Sequence, residues 1–123
     1  MEILMSLTLE ELRAQKKKRK EKLFQGLQEI VKQLKEMGVL RIILFGSVAH
    51  GKVGRWSDLD LLVIMPPIKT GKEWMKEIYE NIERSVDCDI LAYTEKELDE
   101  NIPISRFLRH VLKTGKIIYE VRP

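Results

Sequence analysis

The stretch Leu44–Val63, LFGSVAHGKVGRWSDLDLLV, sets two aspartates one residue apart, Asp58 and Asp60, at the entrance of an apolar run and shortly after a glycine–serine pair. Side chains alternate along a strand, so Asp58 and Asp60 share one face while Leu59 and Leu61 take the other. A rise of about 3.3 Å per residue puts their Cβ atoms roughly 6–7 Å apart. At that spacing two carboxylates repel unless a cation lies between them. Hard oxygen ligands suit Mg²⁺, which takes one or two carboxylates and completes its shell with water and phosphate. The pair therefore predicts a metal–phosphate site.

Gly46-Ser47 supplies the phosphate half of that expectation. The pair follows the apolar segment Arg41–Phe45 (RIILF), read as a strand, and opens a short helical segment near Val48–His50. Free backbone N–H groups at such a turn favour a phosphate, glycine allows close approach, and Ser47 adds a hydroxyl donor. A third strand, Val86–Tyr93, begins VDCDIL, with Asp87 and Asp89 on one face and Cys88 and Ile90 on the other, core-facing side. Beside the Leu59–Ile64 strand, one of these aspartates completes a three-carboxylate cluster able to hold two metal ions. Two ions about 3.5–4 Å apart stabilise both the attacking and the leaving oxygen of an in-line phosphoryl displacement.

The flanking sequence frames this constellation. Thr8 and Glu11 have the form of a capping box, and Leu23, Leu27, Ile30, Val31 and Leu34 recur at helical spacing. A long helix is expected from about Leu9 to Met37, stopped by Gly38. Its first half, RAQKKKRKEK (Arg13–Lys22), has no comparable apolar face. Lys72–Ser85 is expected to form a helix with Trp74, Ile78 and Ile82 on one side. Thr94 reads as the N-cap of a short helix, TEKELDE, and a last helix near Ser105–Lys113 ends at Gly115 before a strand, Lys116–Val121. Alternating helices and strands imply an α/β architecture, a small mixed sheet flanked by helices.

The bulk composition bounds the function. With 123 residues, 44% apolar and 33% charged, the chain is expected to be a single globular domain, residues 1–123, with an N-terminal helix to residue 38, a core from 41 to 93 and C-terminal helices and a strand from 94. No apolar run approaches the roughly 18 residues of a membrane span, and MEILMSLTLEELRAQ lacks the order of a signal peptide, so a cytoplasmic location is expected and no membrane partner. The lone Cys88 has no disulfide or zinc companion and reads as a small core residue. The net charge of +3 does not by itself argue for nucleic acid.

Each motif has an ordinary reading. Gly-Ser is a common turn and Asp-X-Asp a common solvated strand entrance; their conjunction with a third Asp-bearing strand carries the argument. His50 reads as a surface or turn residue, Trp56 as packed under the loop bordering the site, and Trp74 as core. Arg13–Lys22 reads as a solvated helix face, with RNA or an acidic protein as the alternative partner. It has no interleaved aromatics for single-strand stacking.

Phe45-Gly46-Ser47, ten residues, then Asp58-Leu59-Asp60-Leu61 resembles the signature of the DNA polymerase β-like nucleotidyltransferases, in particular the minimal nucleotidyltransferase (MNT) family. The likeness extends to the preceding helix, the intervening helix and an Asp-bearing strand running into Thr94-Glu95. In that family the third carboxylate starts an apolar run ending at such a threonine, which points to Asp89 over Asp87. The resemblance implies a single-domain nucleotidyltransferase fold and a triphosphate, ATP, held by Gly46, Ser47, Asp58 and Asp60. It implies two Mg²⁺ on Asp58, Asp60 and Asp89, and transfer of AMP to a hydroxyl. MNT proteins resembling this chain are antitoxins of HEPN–MNT toxin–antitoxin pairs, so a HEPN-type protein is the implied acceptor. Neutralisation of that partner by occlusion, without catalysis, and nucleic-acid binding through the basic helix are the alternatives. Self-association is compatible with either. Many relatives carry arginine where this chain has Val48 and His50; Lys52 and Arg55 are nearby cations that could take their place.

Overall fold

The structure, a computed structural model, describes residues 8–52 and 58–121. Helix α1 (Leu9–Glu36) starts at Thr8, whose Oγ1 accepts the Glu11 N–H at 3.0 Å, with Glu10 and Glu11 facing the positive end of the dipole. It ends at Gly38, φ +90°, where the Gly38 N–H donates to the Lys35 carbonyl and the Val39 N–H to the Leu34 carbonyl. These two bonds are a Schellman motif, which glycine's access to positive φ permits. The helix is about 42 Å long at 1.5 Å per residue, yet its buried residues, Gly26, Ile30 and Leu34, all lie in its second half. The segment Arg13–Lys22 is almost wholly exposed, as its charge pattern predicts.

Strand β1 (Arg41–Phe45) leads through the one-turn helix α2 (Gly46–Ala49) towards β2 (Leu59–Met65). Helix α3 (Gly71–Asn81) opens with a capping box between Thr70 and Glu73 and carries the chain to β3 (Cys88–Thr94). A second capping box, Thr94 with Glu97, starts α4 (Glu95–Asn101), and Ser105 caps α5 (Arg106–Thr114) before β4 (Lys116–Glu120). The sheet order is β3-β2-β1-β4; β1 is antiparallel to β2 and β4, and β2 is parallel to β3 through the α3 crossover. This is the expected mixed sheet flanked by helices.

Three boundaries differ from the sequence reading, the first being β3, which begins at Cys88 and not at Val86 and so leaves Asp87 before the strand. Helix α3 stops at Asn81, not Ser85, because Gln33 of α1 grips the backbone of Glu83: its Nε2 donates to the Glu83 carbonyl at 2.7 Å and its Oε1 accepts the Glu83 N–H at 2.8 Å. An amide pairing of that kind competes directly with the helical ladder. Gly46 and Ser47 belong to α2 and do not precede it.

The sheet is covered on both faces. Leu59, Leu61, Val63 and Met65 pack with Ile42, Leu44, Cys88 and Ile90 beneath Ile30 and Leu34 of α1 and Trp74 and Ile78 of α3. Trp74 is core, as expected, and its indole N–H donates to the Pro66 carbonyl at 2.8 Å. On the opposite face Ile43, Leu62 and Ile64 pack against Leu98 of α4 and Leu108 and Val111 of α5. A central strand apolar on both faces explains why the run after Asp60 shows no alternation.

Candidate active site

The register of the sheet determines where the acidic residues lie. Asp60, the second residue of β2, is the partner of Phe45 on one side and of Asp89 on the other. Asp60 alternates with Leu59 and Leu61, so it lies on the face that α4 and α5 cover, beyond the end of their contact with Leu62. Asp58 lies just before β2 and is exposed, as is Asp89, whereas Asp60 is half-buried. Asp87 precedes β3, and its carbonyl accepts the Leu59 N–H at 3.0 Å. Asp89, not Asp87, is therefore the carboxylate opposite Asp60.

Burial pushes the Asp60 carboxyl above its ordinary value; the charge of Asp89 adds to this, and that of Asp58 adds less. The order follows from geometry: adjacent strands lie about 4.8 Å apart, whereas residues i and i+2 of one strand are roughly 6–7 Å apart. Asp89 is fixed from both neighbours. The Arg84 guanidinium donates to the Cys88 carbonyl at 3.0 Å, and the Tyr79 hydroxyl accepts the Ile90 N–H at 2.8 Å, with Arg84 lying over the Tyr79 ring. These two side chains clamp the outer edge of β3 on either side of Asp89. Neither was singled out in the sequence, because an Arg and a Tyr before a strand carry no pattern of their own.

Gly46 meets the carboxylates directly. Its φ is +78°, and a Cβ built on it would fall onto Oδ2 of Asp60. A side chain is excluded both by backbone conformation and by space. Ser47, in the first turn of α2, is exposed, and no side chain among the described residues caps that turn. Of the other singled-out residues, His50 is exposed and Val48 packs against the α1 side of the core. Arg55 and Trp56 lie outside the described residues.

The donor set suits a hard divalent cation: three carboxylates, one of them half-buried and held partly against ionisation by the other two. Their oxygens are not drawn into a cage, and among the described residues no three His, Cys, Asp or Glu side chains stand close enough to hold an ion as they are placed.

Beside Gly46 is a cavity of about 300 Å³ that also touches Phe45, Ser47, His50 and Lys52, and from α5 Phe107 and His110. Phe45 and Phe107 meet edge to face, their centroids 5.7 Å apart. The α5 residues were missed in the sequence. The signal was the spacing Phe107, His110, Val111, Thr114, a helical stripe that looks like ordinary core packing.

Cys88 sits behind the acidic cluster, buried, with its thiol pushed up to about 12 chiefly by burial. It is expected to resist a thiol-specific disulfide reagent at pH 8 in the folded protein and to react within minutes in denaturant. Rapid native-state labelling would contradict the packing of β3.

Residues 26–122 match the nucleotidyltransferase domain family, and the chain belongs to that family. No curated protein matches it significantly. Among solved structures it is similar to a candidate nucleotidyltransferase from Sulfolobus solfataricus, with 21% identity and a TM-score of 0.57 over 84% of this chain and 85% of that one. It is also similar to a chain of a toxin–antitoxin solved with AMP-PNP, with 23% identity and a TM-score of 0.50 over 77% and 73%. At these identities the likeness is one of fold. No helix among the described residues is long and apolar enough to cross a membrane.

Proposed function

We propose that this protein is a Mg²⁺-dependent nucleotidyltransferase that moves AMP from ATP to a hydroxyl of a HEPN-type partner protein, as an antitoxin. The observation that carries the chemistry is the alignment of Phe45, Asp60 and Asp89 across three strands, with the Asp60 carboxylate against Gly46. It brings an acidic cluster to a glycine-opened turn. The partner rests on the sequence resemblance, and a fold relative solved as a toxin–antitoxin with AMP-PNP supports it.

In this reading Gly46 and Ser47 hold the triphosphate, and Asp58, Asp60 and Asp89 would hold the metal. Divalent ions bound there would neutralise phosphate charge and lower the pKa of the attacking hydroxyl. The acceptor oxygen forms a bond to the α-phosphorus, and the bond from that phosphorus to the bridging oxygen breaks. Pyrophosphate leaves with the electron pair, and exposed Asp89 accepts the hydroxyl proton. Arg84 and Tyr79 keep Asp89 in place for that transfer. Purified with the product of the adjacent gene and given ATP and Mg²⁺, the protein should add the mass of AMP to its partner. The Asp58→Ala, Asp60→Ala double variant should add none. An unmodified partner, or labelling that survives the double substitution, rejects the proposal.

A second reading, neutralisation of the partner by occlusion, is favoured by a specific surface. Phe24 is 61% exposed and lines an open groove of about 490 Å³ with Leu23, Leu27, Val48 and Ile118. Calorimetry separates the readings: a protein that binds its partner but neither ATP nor Mg²⁺ acts by occlusion.

A further inference from the structure

The apolar groove beside Phe24 and the basic half of α1 form one continuous surface. Residues three or four apart share a face of a helix. Leu27, Leu23 and Phe24 border the groove, Lys20 also lines it, and Lys16, Lys17 and Arg13 follow at the same spacing towards the N-terminus. All four cations are exposed, and among the described residues none of them enters an ion pair. From Arg13 to Leu27 the stripe is about 21 Å long, roughly four helical turns. The nucleotidyltransferase match begins at residue 26, so the cations and Phe24 lie outside the matched region, and the transfer chemistry does not call for them.

The wall facing α1 comes from the sheet side. Ile118 of β4 and Val48 of α2 are partly exposed there, and the floor reaches buried Leu44 and Leu59. A groove of about 490 Å³ takes apolar side chains, and the charges beside it select what carries them. A second copy is disfavoured, because α1 laid antiparallel on its own image sets Lys16, Lys17 and Lys20 against like charges. Nucleic acid would pair with the cations and leave the groove unfilled, and a flat lipid surface would not reach its recessed floor.

We propose that this surface docks an acidic amphipathic helix of a partner protein, which lies along α1 with apolar side chains in the groove and carboxylates against Arg13, Lys16, Lys17 and Lys20. Phe24, 61% exposed at the apolar end of the stripe, is the anchor. The cations steer the approach and set the direction in which the helix lies. The proposal rests on the partner-protein reading above only for the existence of such a partner, and it needs no transfer chemistry.

The test is calorimetric titration of the full chain with two probes. One is the product of the adjacent gene. The other is a synthetic Leu/Glu amphipathic helix of about 20 residues, long enough to span the stripe, beside a counterpart with glutamine for every glutamate. Phe24→Asp should weaken binding of the gene product and of the acidic peptide about thirtyfold. Lys16→Glu with Lys20→Glu should weaken both about tenfold and flatten their salt dependence. Lys96→Glu, an exposed cation of α4 on the other face of the sheet, should behave as wild type. Because Phe24 is exposed, its variant should fold, which far-UV dichroism checks. Unchanged affinity in either α1 variant, or equal binding of the glutamine peptide, overturns the proposal. Tighter binding of polyuridylate or of phosphatidylserine vesicles than of the acidic peptide also overturns it, in favour of those ligands. Phe24-dependent binding of the acidic peptide by a protein that ignores the gene product supports the surface while rejecting that partner, and binding of neither overturns both.

Discussion

Asp60→Asn is expected to reduce nucleotidyl transfer by about a thousandfold or more while raising the melting temperature of the metal-free protein. The folded chain holds this carboxyl above its ordinary value near 3.8, by burial first and by Asp89 and Asp58 next. At neutral pH its charge is therefore a cost to folding. The folded state binds the proton more readily than the unfolded one, so the cost is present in full above the folded-state pKa. It is relieved as pH falls through that value towards 3.8. Asparagine has the same shape and no charge in either state. In EDTA, the gap in melting temperature between variant and wild type should thus be widest near pH 7 and close as the pH enters the carboxylate range. With Mg²⁺ and ATP the order should reverse, because a ligand stabilises the form that binds it. A variant no more stable than wild type at pH 7 in EDTA, or one that keeps its transfer rate, would be incompatible with a functional site at Asp60 held at the expense of stability.

How far the sequence reveals this arrangement depends on the range of the interaction. Local signals read well. Thr8 and Thr94 act as the N-caps their positions predict, and Gly38 ends α1 by the conformation only glycine adopts easily. The apolar stretches 41–45 and 59–64 fall on β1 and β2 because consecutive buried residues serve both faces of a central strand. The pairing of Asp60 with Asp89 is not local. It depends on a parallel register set by the α3 crossover, and the pattern of VDCDIL alone leaves Asp87 and Asp89 equivalent. Contacts made across the fold were invisible for the same reason. Gln33 shortens α3 from fifty residues away, and His110 lines the cavity beside Gly46 because Leu108 and Val111 seat α5 on Ile43 and Leu62.

The basic half of α1 shows a different limit. Its exposure was legible from charge, but its purpose is not written in its pattern. The match to the nucleotidyltransferase domain begins at residue 26, so the seven cations between Arg13 and Lys22 lie before it.

Gly46→Ala is expected to cost both stability and activity, and the way the two losses combine identifies the cause. Alanine at φ +78° pays roughly 1–2 kcal/mol for a left-handed conformation. The same substitution places a methyl group where Oδ2 of Asp60 now lies. The carboxylate is the end of a short side chain and can rotate away, so the chain still folds, but the oxygen no longer faces the turn. Displacement by about an ångström is enough to lose roughly a hundredfold in kcat/KM. If the activity loss arises from this displacement, then adding Gly46→Ala to Asp60→Asn should lower activity little further, since both disable the same carboxylate. Stability should respond in the opposite manner. The backbone strain of alanine persists whatever residue occupies position 60, so the destabilisation should reappear almost unchanged in the double variant. Chemical denaturation and transfer assays on the four proteins of this cycle decide the matter. Additive activity losses would mean that Gly46 serves the phosphate alone, through its N–H and its freedom from a side chain, and that its contact with Asp60 is incidental to catalysis.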